Sequence, residues 1–425
     1  MDKELYSTYV AILKEELIPA MGCTEPIAIA YGAALARRTL GQLPQSVEVA
    51  VSANILKNVK SVVVPHTGGL RGIAAAVAAG ITVGDADRQL EVLAGVSQAQ
   101  EPLIRACQEQ TPIRVSLSES GYIFDIQITV KAEDQTAFVQ IAGSHTNVIR
   151  IERNGETLRA CDYTEDVPAE KEDRRLLSVE RIVEFADLVC IEDVKETLDR
   201  QIQMNLAIAQ EGLRGNWGAG IGRVLQNAYG SEIHNRAKAV AAAGSDARMS
   251  GCELPVVINS GSGNQGMTAS LPVIVYAEEL KSGPDLLYRA LVVSNLVTIH
   301  LKTGIGRLSA YCGATSAGCG AGAGIAYLHG GKAYEIAHTI VNAVAINSGM
   351  ICDGAKASCA AKIASAVEAG LLGWQMQRNG TQFYGGDGIV VKGVENTIQN
   401  IGRIARDGMA QTDREIIRIM IDASR

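Results

Sequence analysis

Residues 113–154 run as IRVSLS (113–118), YIFDIQITV (122–130), AFVQIAGS (137–144) and NVIRIERN (147–154), with Gly, Asp and Asn at the breaks. Apolar and polar residues alternate within each run, the period of a half-buried strand, and the short polar breaks suit tight connections. An antiparallel meander is expected here. Toward the N-terminus the pattern is mixed. Helical spacing covers 3–18 and 26–39, VEVAVSA from Val47 reads as a strand, a small-residue helix falls near 70–80, and short helices reach 109. Toward the C-terminus the charged segment EDVPAEKEDRR (165–175) reads as a solvated linker. Beyond it the period is helical almost throughout, from LSVERIVEFADLV to DREIIRIMIDA. The expected class is α+β and mainly α-helical. A smaller N-terminal α/β-mixed region holding the meander spans residues 1–175, and a larger all-helical region spans 176–425.

A chain of 425 residues passes the size at which one core usually stops growing, in keeping with two domains. Only 4% of residues are aromatic while Gly numbers 44, so helices must pack through Ala, Val, Ile and Gly at close range. The net charge of −7 leaves no basic footprint for a phosphate backbone, which argues against nucleic acid as a partner. MDKELYSTYVAILKEEL reads as an amphipathic helix and not as a signal peptide, so a cytoplasmic protein is expected. The apolar stretch from Ile73 to Val83 is about half a bilayer span, and no membrane segment is expected.

Nine cysteines in a chain of this kind are buried hydrophobes, metal ligands or nucleophiles more often than disulfides. Cys312 and Cys319 bracket CGATSAGC, and Cys352 and Cys359 bracket CDGAKASC. Each pair is two helical turns apart, wider than the short spacing of structural zinc sites. Thiols spread this far in Gly-rich turns suit a larger inorganic cluster, with buried helix cysteines as the equal alternative. A further cysteine stands in AMGCTEP (20–26), where Pro26 marks a helix start. Cys23 would then feel the positive end of a helix dipole, which lowers a thiol pKa. Glu25 in the same turn is an alternative base or a residue that favours the helix start.

Two Gly-rich turns suit an anion. VVVPHTGGLRG (62–72) leads from a strand-like run into a helix, with His66, Thr67 and Arg71 as side-chain contacts for a carboxylate. Ser144-His145-Thr146 offers a second His-Thr pair at a strand junction. SGSGNQG (260–266) holds a literal G-x-G-x-x-G from Gly261 to Gly266, with Ser260, Gly261, Gly263 and Asn264 as candidate substrate contacts. Without a βαβ unit around it, that fingerprint favours a carboxylate nest or a helix contact over a dinucleotide. Lys356 in DGAKAS invites a pyridoxal phosphate reading, but no phosphate cup accompanies it. Pairing with a substrate carboxylate or with Asp353 suits it better.

INSGMICDGAKASCAAKI (346–363), the upstream Cys312 and AMGCTEP together resemble the L-cysteine desulfidase family, which is related to the α-domain of iron–sulfur L-serine dehydratases. The likeness runs along the whole chain. It implies a [4Fe-4S] cluster held by Cys312, Cys352 and Cys359, with Cys319 outside the matched pattern. It also implies that Cys23 is the base that removes the Cα proton. Three thiolates leave one iron open to act as a Lewis acid, whereas four would make an electron carrier. The 62–72 segment is similar to the carboxylate loop of the serine dehydratases, with Pro65 where they have serine. The reaction implied is β-elimination from a small amino acid, L-cysteine, to pyruvate, ammonia and hydrogen sulfide. Alternatives are L-serine or L-threonine dehydration on the same cluster and, in another class, a non-catalytic metal-binding scaffold or regulator. Whether the chain forms a homo-oligomer stays open.

Overall fold

The alternating runs do become strands, with others added on either side. The computed structural model describes residues 1–164, 172–306 and 309–422, the side chains of 421 and 422 excepted. Its strands are β1 (Pro19–Met21), β2 (Ser46–Val51), β3 (Ile113–Leu117), β4 (Asp125–Ala132), β5 (Gln135–Ala142), β6 (Val148–Arg153), β7 (Glu156–Ala160) and β8 (Pro255–Val257). Six of them form one sheet in the order β3-β2-β4-β5-β6-β7.

The meander is β4 to β7 and does not begin at IRVSLS as expected. That run is β3, which pairs parallel with β2, while β2 pairs antiparallel with β4. Parallel neighbours need a long crossover, here the helices between residues 53 and 110. A period of two identifies a strand without naming its partner. β7 follows a tight turn at Asn154 and Gly155, both at positive φ, the geometry that turns a hairpin with the native twist.

The helices of the N-terminal region are α1 (Lys3–Glu16), α2 (Thr24–Leu40), α3 (Ala53–Val59), α4 (Gly72–Val83) and α5 (Glu101–Gln110). Helix α2 lies on β4 and β5 and against α4, covering a sheet face built from Ile126, Ile128, Val130, Val139 and Ile141. The expected linker falls partly outside the described residues, which omit 165–171. After it come α6 (Val179–Leu188), α7 (Ile191–Arg214), α8 (Ile221–Tyr229), α9 (Ile233–Met249), α10 (Gly263–Glu279) and α11 (Pro284–Ile305). The last are α12 (Gly313–Leu328), α13 (Ala333–Ile346), α14 (Cys359–Arg378), α15 (Val394–Arg403) and α16 (Ala410–Asp422). One strand interrupts the helical region: β8 pairs antiparallel with β1, Pro19 opposite Val257. That pairing ties the two regions together, and one apolar core runs through both. Among the described residues no helix is long and apolar enough to cross a membrane.

Small residues let α12 and α14 approach until backbones touch. A Cβ on Gly370 would stand 2.1 Å from the Gly318 carbonyl oxygen. Gly to Ala in a free helix stabilises by up to ~1 kcal/mol. Gly370→Ala is expected instead to destabilise the protein by about 1–3 kcal/mol through overpacking. A thermal melt reads the sign, and a raised midpoint would mean that the helices part without cost.

Candidate active site

Four helix starts open on one buried cavity of about 110 Å³. Cys23 is the N-cap of α2, Ser262 of α10 and Cys312 of α12, while Cys359 is the first residue of α14. All four line the cavity. Unsatisfied N–H groups and helix dipoles at these ends favour anionic contents. Lys57, Arg248, Lys302 and Lys362 also line it, and among the described residues Glu25 brings the one carboxylate.

Cys352 joins Cys312 through a short antiparallel bridge between Tyr311 and Ile351. The Cys312 N–H donates to the Met350 carbonyl at 3.0 Å and the Cys352 N–H to the Ala310 carbonyl at 2.6 Å. The two thiols interact, and the pair favours one thiolate, on Cys352. The Cys312 thiol, Lys57, the Gly354 N–H and Lys302 lower its pKa against the opposing effect of burial. Cys312 is pushed up by the neighbouring Cys352 thiol and by burial. Burial also pushes up Cys359, whose Sγ lies 3.6 Å from the Gly354 carbonyl oxygen. Cys319 points elsewhere: it is buried inside α12, off the cavity, and burial raises its pKa to about 12.

Among the described residues no three His, Cys, Asp or Glu side chains are grouped to hold a single metal ion. A cubane cluster asks something different, one thiolate per iron at separate corners. Three thiols on one cavity, one disposed to ionise and flanked by lysines that offset thiolate charge, fit that demand.

Cys23 occupies the helix start that the sequence assigns it, yet its pKa moves the other way. The thiol is 3% exposed, and burial together with the neighbouring Glu25 charge raises its pKa, outweighing Arg248. Its Sγ lies 3.3 Å from Glu25 Oε2, and Asn58 Nδ2 donates to Glu25 Oε1 at 3.0 Å. Cys23 and Cys359 belong to one small apolar cluster with Val62 and Met249.

Opposite stands the turn from β8 into α10. Ser260, at φ 50°, Gly261 and Asn264 line the cavity, while Gly263 lies behind them against Arg248. A buried amide network fixes the turn. Ser260 Oγ donates to Asn259 Oδ1 at 2.9 Å, Asn259 Nδ2 to Asn295 Oδ1 at 3.0 Å, and Gln201 Nε2 to the same oxygen at 3.0 Å. β8 is short and antiparallel to its one partner, so no βαβ unit surrounds this glycine motif.

His66, Thr67, Arg71 and Lys356 do not reach the cavity lining. His66 contacts Met21 Sδ through Nε2 and pairs with Glu253 through Nδ1. Thr67 Oγ1 donates to the Val64 carbonyl at 2.6 Å, and Arg71 is the exposed N-cap of α4. Pro65 packs against Gly22, so this segment backs the Cys23 turn. Lys356 pairs with Asp353, which its lysine neighbours Lys356 and Lys362 hold down to about 2 against burial. His145, from the junction after β5, does line the cavity, its ring edge-on to Phe124 at 4.9 Å. Sequence reasoning missed Arg248, Gln265, Lys57, Lys302 and Tyr311. Only Gln265 and Tyr311, beside the Gly-rich turns, carried a local signal.

Residues 87–418, which hold strands β3 to β7 together with the helices that carry Cys312 and Cys359, form a serine-dehydratase-like lyase domain. The family model described as serine dehydratase alpha chain matches residues 87–418, and the chain belongs to that family. The match takes in Cys312, Cys352 and Cys359 and begins after Cys23. A UPF0597 protein of Desulfitobacterium hafniense is 63% identical over 417 residues, 98% of this chain and 97% of the relative. UPF0597 proteins of Lachnoclostridium phytofermentans and Finegoldia magna are each 46% identical, covering 98% and 97% of this chain and 100% and 99% of their own lengths.

Proposed function

We propose that the protein is an iron–sulfur L-cysteine desulfidase of the cytoplasm, converting L-cysteine and water to pyruvate, ammonia and hydrogen sulfide by β-elimination. The observation that carries this reading is the convergence of Cys23, Cys312, Cys352 and Cys359 on one small buried cavity. Cys312, Cys352 and Cys359 would hold a [4Fe-4S] cluster. Bound there, it supplies an iron without a protein thiolate, a Lewis acid for the leaving group.

The chain's own groups do the rest. The Ser260, Gly261 and Asn264 turn receives the substrate carboxylate, with Gly263 leaving room behind it. Cys23 Sγ takes the Cα proton after yielding its own to Glu25 Oε2, the carboxylate that Asn58 holds in place. His66, Thr67 and Arg71 shape the turn that carries Cys23, and Lys356 with Asp353 orders the loop between Cys352 and Cys359.

The family match favours a second reading, dehydration of L-serine or L-threonine at the same site. Protein purified and reconstituted without oxygen, assayed with all three amino acids, distinguishes the readings. Sulfide and pyruvate from L-cysteine are expected. Pyruvate from L-serine with no sulfide from L-cysteine would sink the desulfidase, and no turnover of any would leave the metal-binding scaffold.

A further inference from the structure

We infer that Arg248 and the first turn of α10 anchor the α-carboxylate of the substrate while Gln265 accepts its α-ammonium group, which sets the ligand class as small free α-amino acids. The inference deepens the reading of this cavity as an amino-acid site and rests on it.

Arg248 stands in the last turn of α9 and is 2% exposed, yet it lines the cavity. A guanidinium at that depth needs a charge or a full set of acceptors. Its Nε donates to the Gly22 carbonyl at 2.9 Å and its Nη1 to Asn264 Oδ1 at 3.2 Å. Both acceptors are neutral, and they engage two of five N–H groups. Lys57 and Lys362, by contrast, are met inside the fold by Asp413 and Asp353. The hydrogen bonds of Arg248 among the described residues go to uncharged acceptors.

The surroundings suit a planar anion. A Cβ on Gly263 would stand 2.5 Å from Arg248 Nε, so glycine at the start of α10 lets the guanidinium lie against that helix's opening turn. The N-cap, Ser262, makes no side-chain hydrogen bond to this turn. Guanidinium forks and uncapped first-turn amides both select carboxylate geometry. An independent sign of a ligand comes from Gln265. It is 6% exposed and lines the cavity, and its Oε1 has no hydrogen-bond partner among the described residues. Its amide lies against Gly313, next to Cys312. An ammonium group there satisfies the oxygen, and the Cα between the two anchors then faces the thiol-lined part of the cavity.

The test is calorimetric binding to full-length protein reconstituted without oxygen, using L-alanine, which has no leaving group, and L-alaninamide, which lacks the carboxylate charge. L-Alanine is expected to bind roughly 10–100-fold more tightly, the worth of a hydrogen-bonded charge. Arg248→Gln is expected to abolish that preference and Arg248→Lys to keep part of it. Equal binding of the two ligands by the natural protein, or no binding of L-alanine, overturns the inference without any variant having to fold. So does an Arg248→Gln protein that still discriminates. Failure to turn over L-cysteine or L-serine would count against the proposed reaction and leave this result standing.

Discussion

Cys352→Ala protein purified without oxygen is expected to lack iron, acid-labile sulfide and visible absorbance. Its turnover should fall by more than the roughly 10–100-fold that loss of an outer-shell partner costs in metal sites. Cys352 is the thiol that Cys312, Lys57 and Lys302 dispose to ionise, so its removal takes away the most available thiolate and leaves Cys312 and Cys359, whose ionisation burial opposes. The control is Cys319→Ala. That cysteine lies seven residues after Cys312 and looks equivalent by spacing, yet it is buried in α12 away from the cavity. Its variant is expected to keep iron and activity and to lose only packing. Elemental analysis and a spectrum decide the matter. A Cys352→Ala protein with its full iron content, or a Cys319→Ala protein without any, would refute the assigned ligand set.

That contrast shows what the sequence could carry. Local spacing marked four cysteines alike, and only the family resemblance set Cys319 apart from Cys312, Cys352 and Cys359; the structure puts those three on the cavity and Cys319 off it. Cys23 as an N-cap was legible because helix starts are local, its backbone extended at φ −78° and ψ 132°. The direction of its pKa was not, because burial depends on Val62, Met249 and Cys359 packing against it from far along the chain. Arg248 was illegible altogether. ARMSGC has no motif, and only the packing of α9 on α10 and α14 brings its guanidinium to the cavity. In the sheet, alternation marked β4, β5 and β6, whose inward residues are buried. β7 is exposed at every position and has no inward face to alternate with. The partner of β3 was fixed by a crossover of more than fifty residues, beyond the reach of any local pattern.

Cys23→Ala is expected to keep its iron, since it removes no assigned ligand, and to lose roughly 10²–10⁴-fold in kcat, the usual worth of a positioned proton acceptor. The companion variant Glu25→Gln separates two ways in which a buried thiol can serve as base. The Glu25 charge and its hydrogen bond both raise the Cys23 pKa, in addition to burial. Were Cys23 to act alone, removing them would lower that pKa, enlarge the thiolate fraction at a given pH and move the rise of kcat to lower pH with little loss at the plateau. Were Glu25 the group that accepts the thiol proton, as the 3.3 Å contact with Sγ supports, Glu25→Gln would lower the plateau itself. The Cys23→Ala, Glu25→Gln double variant would then be little worse than either single one, as for residues that act as a unit. The second pattern is the expected one. Burial raises the Cys23 pKa, so near neutral pH the thiol needs an acceptor to yield its proton, and Glu25 is the one carboxylate lining the cavity among the described residues.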